Sequence, residues 1–169
     1  MTDKFWARFA ARTGLAFAAA GLGILALALA PQAHAQTAEA NKAAVAAKFD
    51  AWAAGTGSPF DLLADEASWT IEGNSAASRR YPTKEAFMAE VIRPFNARMV
   101  AGIKPSVRSI TAEADRVVIF FDARGEARDG KPYVNTYAWL FRMRDGRVVE
   151  ANAFYDSIAF NDLWSRVAP

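Results

Sequence analysis

The sequence predicts an α+β fold, with helices first and a strongly curved antiparallel sheet after them. An amphipathic helical pattern covers about residues 38–54, and a second helical pattern follows from residue 83. Long strand-like stretches fill the second half of the chain. Asp-Gly pairs stand at two of the joins, at Asp129-Gly130 and Asp145-Gly146, and Asp-Gly between strands is the strongest short-range signal of a hairpin. Helices followed by a meander indicate α+β.

Residues 1–35 have the pattern of a secretory signal peptide. Basic residues near the start precede a 17-residue apolar stretch, Gly14 to Ala30, and Ala33-His34-Ala35 offers the small residues of a cleavage site. We therefore expect cleavage after Ala35 and a periplasmic or secreted protein with one domain over residues 36–169. An uncleaved anchor is the alternative, although 17 residues is at the short limit for a membrane span.

The expected mature domain is electrically neutral. Its 134 residues contain 17 basic and 17 acidic side chains, no cysteine and no histidine, since His34 leaves with the signal. A neutral domain lacks the field that attracts nucleic acid or an anionic membrane. Without histidine or cysteine there is no Ser-His-Asp triad, no thiolate nucleophile and no imidazole zinc site. We expect no metal and no cofactor, and acid–base chemistry limited to Asp, Glu, Tyr, Lys and Arg.

The first helix has one apolar stripe, formed by Val45, Phe49 and Trp52 at helical spacing, and Gly55-Thr56-Gly57 ends it. A short helix follows. Ser58 can cap it, since Pro59 suits the first helical position and an acidic residue falls at the third.

A strand is predicted at residues 67–73, where Ala67, Trp69 and Ile71 alternate with polar residues. Residues 74–82 read as a loop. Thr83 can cap the next helix, which carries a broad apolar face and which Pro94 should kink. Further strands are predicted at residues 105–113, 116–128, 131–144 and 147–157, with a last amphipathic turn at 158–167.

One face of the strand at residues 131–144 suits the wall of a pocket. Because successive side chains point to opposite faces, the odd positions share one face, which is large, aromatic and partly hydrogen-bonding. A pocket needs apolar bulk and a few orienting polar groups. A plain aromatic core with satisfied hydroxyls is the alternative. The face consists of Tyr133, Asn135, Tyr137, Trp139, Phe141 and Met143.

The turn at Asp129-Gly130 decides whether a carboxylate joins that face. A two-residue turn places Phe120 opposite Trp139 and Asp122 opposite Tyr137, so that Asp122 faces the aromatic wall. A three-residue turn places Val117, Ile119 and Phe121 there instead. The sequence leaves both registers open. In the first register, desolvation would raise the pKa of Asp122, as a general acid or base requires.

Two more carboxylates lie where strands end. Asp156 follows the last strand, near the expected pocket rim, although capping the following turn is the favoured role for it. Glu72 ends the strand of Trp69. On the last strand, a three-residue turn would set the face of Val149, Ala151, Ala153 and Tyr155 beside Trp139 and Phe141.

The ordered motifs resemble those of a known superfamily. They are Ala64-Asp65-Glu66-Ala67-Ser68-Trp69, Asp129-Gly130-Lys131-Pro132-Tyr133 with Asn135-Thr136-Tyr137-Ala138-Trp139, Asp145-Gly146-Arg147-Val148-Val149-Glu150, and the ending Phe154-Tyr155-Asp156. The set resembles the SnoaL-like, ketosteroid isomerase-related branch of the nuclear transport factor 2-like superfamily over residues 42–166. The resemblance implies a cone-shaped α+β fold, a pocket for a small apolar ligand and a homodimer.

The resemblance does not imply the catalytic mechanism of ketosteroid isomerase. Where that enzyme has a tyrosine, an aspartate base and a neutral aspartic acid, this chain has Phe49, Ile71 and Trp139. Many chemistries share the fold.

Two hypotheses remain for the function. One is an exported, cofactor-independent acid/base enzyme with Asp122 and Tyr137 as catalytic groups. The other is a non-catalytic periplasmic ligand-binding or assembly module. Both use the same expected pocket, with Glu72 and Asp156 at its rim and its wall formed by Phe49, Trp69, Phe120, Asn135, Trp139, Phe141 and Tyr155.

Overall fold

The computed structural model describes the backbone of residues 21–169 and the side chains of residues 37–169. The chain divides into two compact units, Met1–Ala33 and His34–Pro169. In the first unit, the described residues are helical. The predicted signal peptide, residues 1–35, lies outside the residues whose side chains are described. Among the described residues, no helix combines the length and the apolar character that crossing a membrane requires.

The helices of the second unit follow the predicted order. Helix α1 spans Gly21–Ala54, longer at its start than predicted, and a 3-10 turn covers Pro59–Leu62. Ser58 caps this turn as predicted. Its hydroxyl accepts a hydrogen bond from the amide of Phe60, and the carboxylate of Asp61 accepts one from the amide of Ser58. Helix α4 spans Ser157–Arg166.

The helical segment after Thr83 changes from α-helix to a π-helical turn just before Pro94. Helix α2, Lys84–Phe87, begins under the predicted cap of Thr83, whose hydroxyl accepts from the amide of Ala86. A π-helical turn, Met88–Ile92, separates it from α3, Arg93–Ala97. The ring of a proline inside a helix clashes with the carbonyl four residues earlier, and a wider turn relieves that clash. The predicted interruption therefore takes the form of a π turn.

Six strands form one sheet in the order β2-β1-β6-β5-β4-β3. Strands β3 to β6 form the predicted antiparallel meander. The α+β class is confirmed, with one difference: β1 runs parallel to β6, which makes the sheet mixed. The strands are β1 Leu63–Ile71, β2 Arg80–Tyr81, β3 Lys104–Glu113, β4 Arg116–Glu126, β5 Pro132–Arg144 and β6 Arg147–Tyr155.

A three-residue turn joins β4 to β5. The amide of Ala127 donates to the carbonyl of Lys131 at 2.9 Å, and Gly130 has a φ of 78°. This positive φ is the left-handed conformation that closes three-residue hairpins and that glycine adopts without strain. In the resulting register Trp139 pairs with Ile119 and Thr136 pairs with Asp122. Of the two registers that the sequence allowed, the structure has the one that turns Asp122 outward.

The β5–β6 hairpin reaches the expected pairing by another route. Arg144 pairs with Arg147 across a two-residue turn in which Asp145 and Gly146 both have positive φ, as in a type I′ turn. A bulge then shifts the register, so that Val149 is the extra residue and Val148 is buried in its place. The predicted three-residue turn is therefore wrong, but beyond the bulge Ala153 pairs with Trp139 and Tyr155 with Tyr137, which sets the predicted face of β6 beside the aromatic face of β5.

Candidate functional site

A cavity of about 270 Å³ lies between the inner face of the sheet and the helices of the second unit. The volume is just below the range of about 300–1,000 Å³ that is typical of small-molecule pockets. Strands β1, β5 and β6 form one wall, and the α2–π–α3 segment forms the other. The lining residues are Trp52, Gly57, Ser58, Phe60, Trp69, Ile71, Phe87, Met88, Val91, Ile92, Phe95, Asn96, Gly102, Ile103, Tyr137, Trp139, Ala153, Tyr155 and Phe160.

Aromatic rings fix the shape of the cavity. Trp69 stacks on Phe87 with ring centroids 4.2 Å apart, and its ring meets that of Trp139 edge-on at 5.1 Å. Trp139 also lies parallel to Trp52 at 6.1 Å. Such offset and edge-to-face pairs are each worth about 0.5–1.5 kcal/mol beyond the burial of their area. The walls are therefore held by ring packing, and they present flat apolar surfaces to a ligand.

None of the lining residues that the structure describes carries a charge at neutral pH. Among these described residues, only Tyr137 and Tyr155 have side chains that titrate, and burial raises the pKa of each above its usual value. Both hydroxyls therefore stay protonated at physiological pH. A protonated phenol can donate or accept a hydrogen bond, but it cannot serve as a general base.

A buried hydrogen-bond cluster anchors Tyr137 at one side of the cavity. The hydroxyls of Tyr137 and Tyr133 lie 2.9 Å apart, and the side-chain amide of Asn135 donates to the hydroxyl of Tyr133 at 2.9 Å. Asn135 is fixed in turn by Asp156, because it donates to the carbonyl and accepts from the amide of that residue. The three β5 side chains therefore share one network on the inner face.

A second chain of hydrogen bonds holds Tyr155. Its hydroxyl lies 2.8 Å from the hydroxyl of Ser75, which lies 2.9 Å from that of Ser78. Ser78 donates to the backbone carbonyl of Glu72 at 3.2 Å. The loop between β1 and β2 thus fixes the orientation of the phenol.

The indole N–H of Trp69 is a buried donor with no partner among the described residues. A buried donor without an acceptor costs about 1–3 kcal/mol.

The predicted placement of Asp122 in the pocket is wrong. The three-residue turn puts it on the outer face, where Thr136 donates to it at 2.7 Å and Arg108 forms an ion pair with it at 2.7 Å. The hydrogen bond from Thr136, with the bonds and charge of Arg108, lowers the pKa of Asp122. A carboxylate held ionised on the outer face has neither the position nor the raised pKa that an acid/base role in the cavity requires.

Phe120, predicted in the pocket wall, and Glu72, predicted at the pocket rim, do not line the cavity. Phe120 shares the outer face with Asp122 and is 37 % exposed. Glu72 accepts a hydrogen bond at 2.8 Å from Asn152 and does not line the cavity. The alternation of side chains along β4 turns Phe120 away from the helices, and Glu72, the residue after β1, is held by Asn152 of β6.

Asp156 has the capping role that the sequence favoured. Its carboxylate accepts from the amides of Ile158 and Ala159 at the start of α4. It does not line the cavity, and neither do Phe49, Asn135 and Phe141, which are buried in the core. Phe49 packs behind the wall, edge-on to Trp139 at 5.7 Å. The remaining predicted pocket residues, Trp69, Tyr137, Trp139 and Tyr155, are brought together around the cavity.

The sequence did not single out the helical side of the cavity or its serine chain. Phe87, Val91 and Phe95 belong to an apolar face that the sequence showed, but the π turn decides which of them reach the cavity. Ser75 and Ser78 stand in a loop without periodicity, so no pattern marked them. Among the described side chains, no group of three or more His, Cys, Asp or Glu could hold a metal ion.

The chain matches one protein family and many solved structures. A family model described as the SnoaL-like domain matches residues 32–151. Bal32a, from a soil-derived mobile gene cassette, is 24% identical with a TM-score of 0.63, and the match covers 76% of this chain and 98% of that one. No curated protein matches the chain.

Two further structures show the same architecture. A protein from Jannaschia that is titled as a candidate SnoaL-like polyketide cyclase is 22% identical, with a TM-score of 0.58, over 77% of this chain and 94% of that one. TerC, crystallised with polyporic acid, is 17% identical with a TM-score of 0.58, over 74% of this chain and 98% of that one. At these identities the likeness shows the fold alone.

Proposed function

This chain belongs to the SnoaL-like domain family, and we propose that it binds a small, uncharged, largely apolar molecule in its cavity without turning it over. The observation that carries the proposal is the cavity lining, in which rings and aliphatic side chains surround a few neutral polar groups. Burying a charge without a partner is costly, so this lining selects neutral ligands.

The acid/base enzyme is the alternative hypothesis, and the described residues give it little support. No described carboxylate lines the cavity. The carboxyl pKa values that depart from normal among the described residues, those of Glu85, Asp122 and Asp129, are all lowered by hydrogen bonds from neighbouring side chains. A general base in an apolar pocket has the opposite signature, a carboxyl pKa raised by desolvation.

A pair of substitutions to phenylalanine tests the cavity as the binding site. Ala153 lines the cavity, whereas Ala138 lies on the opposite face of the neighbouring strand and does not. We expect Ala153→Phe to fill part of the cavity and to weaken the binding of naphthalene by at least about tenfold, or about 1.4 kcal/mol. Ala138→Phe should leave the affinity within about twofold. Isothermal titration calorimetry measures both.

The anionic analogue 2-naphthoate provides the second arm of that experiment. The wild-type protein should bind it at least about tenfold more weakly than naphthalene, because no described residue of the lining neutralises the carboxylate. Failure of naphthalene to bind, or equal affinity of the two phenylalanine variants, would refute the proposed binding site. Thermal unfolding of each variant checks that the fold is kept.

We further propose that the protein is exported and that the signal is cleaved after Ala35. The proposal rests on the basic start, the apolar stretch and the small residues before Gln36. Expressed in a Gram-negative host, the protein should appear in the periplasmic fraction. Its mass, measured by mass spectrometry, should be that of residues 36–169. A product that keeps Met1 and sediments with the membranes would show an anchor instead.

We also propose that two copies pair through the outer face of the sheet. That face carries exposed apolar side chains from β4, β5 and β6, of which Val134 is 52 % exposed and Phe154 49 %. Two ion pairs on that face, Arg108–Asp122 and Arg142–Glu150, neutralise four of its charges within one chain. An apolar patch next to internally paired charges suits contact with a second copy of itself.

Light scattering coupled to size-exclusion chromatography tests the dimer. The wild type should have the mass of two copies, and Phe154→Glu should have the mass of one, because it places two unpaired carboxylates in the interface. Ile158→Glu is the control, since Ile158 is 82 % exposed on α4 and not on the sheet. A monomeric wild type, or a dimer that survives Phe154→Glu, would contradict the proposed interface.

A further inference from the structure

We propose that the ligand carries a hydroxyl group on a planar ring, and that this hydroxyl accepts a hydrogen bond from Tyr137 and donates one to Tyr155. The inference rests on the proposed ligand-binding function and narrows the ligand to a phenol or a cyclic enol. It follows from counting the hydrogen atoms that each hydroxyl in the two networks has to donate.

The chain from Tyr155 has only one consistent arrangement. Ser78 gives its single hydroxyl hydrogen to the backbone carbonyl of Glu72. The hydrogen between Ser75 and Ser78 must therefore come from Ser75, and the hydrogen between Tyr155 and Ser75 must come from Tyr155. The hydroxyl hydrogen of Tyr155 is thus committed to Ser75. Toward the cavity, the oxygen of Tyr155 can therefore act only as a hydrogen-bond acceptor.

The cluster around Tyr137 has one hydrogen to spare. Tyr133 and Tyr137 share a single hydrogen bond, and Tyr133 already accepts from Asn135. Two hydroxyl hydrogens are therefore present, and only one is used between the two phenols. Tyr137 lines the cavity and Tyr133 does not. A ligand acceptor therefore favours the order in which Tyr133 donates to Tyr137 and Tyr137 donates to the ligand.

The sheet brings this donor and this acceptor together. Tyr137 and Tyr155 are directly paired across β5 and β6, with ring centroids 5.8 Å apart. A hydroxyl satisfies both from a single oxygen, whereas a carbonyl or ether oxygen can only accept. Burial keeps both phenols protonated, so the donor and the acceptor persist at neutral pH. The rest of the ligand contacts the ring surfaces of Trp69, Trp139 and Phe87, which suit a flat aromatic body.

Three probes of matched shape separate the two hydrogen bonds. Naphthalene can make neither bond, 2-methoxynaphthalene can only accept, and 2-naphthol can accept and donate. The affinity ratio of 2-methoxynaphthalene to naphthalene reports on Tyr137, and the ratio of 2-naphthol to 2-methoxynaphthalene reports on Tyr155. Each ratio is compared between variants, so that differences in solubility and size among the probes cancel. Isothermal titration calorimetry of the purified protein gives the affinities.

Each tyrosine variant should lower one ratio. We expect Tyr137→Phe to lower the first ratio, and Tyr155→Phe to lower the second, each by about fivefold to tenfold, as for the loss of one hydrogen bond. Ser75→Ala frees the hydrogen of Tyr155, which can then donate to 2-methoxynaphthalene. The second ratio should fall in this variant too, although Ser75 does not line the cavity. A merely structural role of Ser75 would change the affinities of all three probes alike.

Tyr81→Phe is the matched control. Tyr81 is also buried, and it donates to the carbonyl of Ala77 instead of facing the cavity, so both ratios should stay at their wild-type values. If the wild type binds all three probes and both ratios are unchanged in Tyr137→Phe and Tyr155→Phe, the hydroxyl inference is wrong and ligand binding stands. If the wild type binds none of the probes, the proposed function itself is wrong.

Discussion

The register of β4 against β5 determines which side chains of β4 pack behind the wall of the cavity. The turn closed by Gly130 pairs Ile119 with Trp139 and Phe121 with Tyr137, so the inner face of both strands is aromatic or aliphatic. A shift by one residue would exchange the two faces of β4 and bring Asp122 and Phe120 inward. The backbone conformation at this glycine therefore keeps a carboxylate off the inner face, where Phe121 packs against Tyr137 and Trp139.

The two faces of the sheet differ in the kind of polar group that they carry. Charges lie on the outer face, where Asp122 pairs with Arg108 and Glu150 with Arg142. The inner face keeps polar groups that need no counterion, namely the phenols of Tyr137 and Tyr155. In a low-dielectric cavity such groups discriminate ligands by hydrogen-bond direction, because a wrongly placed donor or acceptor stays unsatisfied.

Elements with a strong period or a specific cap could be predicted from the sequence, and turn lengths could not. The alternation along β5 placed Tyr137 and Trp139 on one face correctly, and the caps of Ser58, Thr83 and Asp156 are present. Asp-Gly marks a hairpin without fixing its length. The first such pair lies in a three-residue turn and the second in a two-residue turn with a bulge behind it.

The strand side of the candidate site could be predicted from the sequence, and the helical side could not. Strand residues such as Trp69 and Tyr155 are placed by a period of two, which is robust. The helical side depends on a π turn, which shifts the phase of every later residue and has no sequence signal beyond Pro94. The parallel pairing of β1 with β6 and the contact of Ser75 with Tyr155 join parts of the chain far apart in sequence, so no local pattern reveals them.

The pH dependence of ligand affinity tests the neutrality of the cavity most directly. The groups that titrate in the described lining are Tyr137 and Tyr155, and the pKa of each is raised, so neither ionises below its usual value of about 10. The affinity for 2-naphthol should therefore stay within about twofold from about pH 5 to about pH 8. A sigmoidal or bell-shaped change with an apparent pKa inside that range would reveal an ionising group at the ligand and contradict a neutral binding cavity.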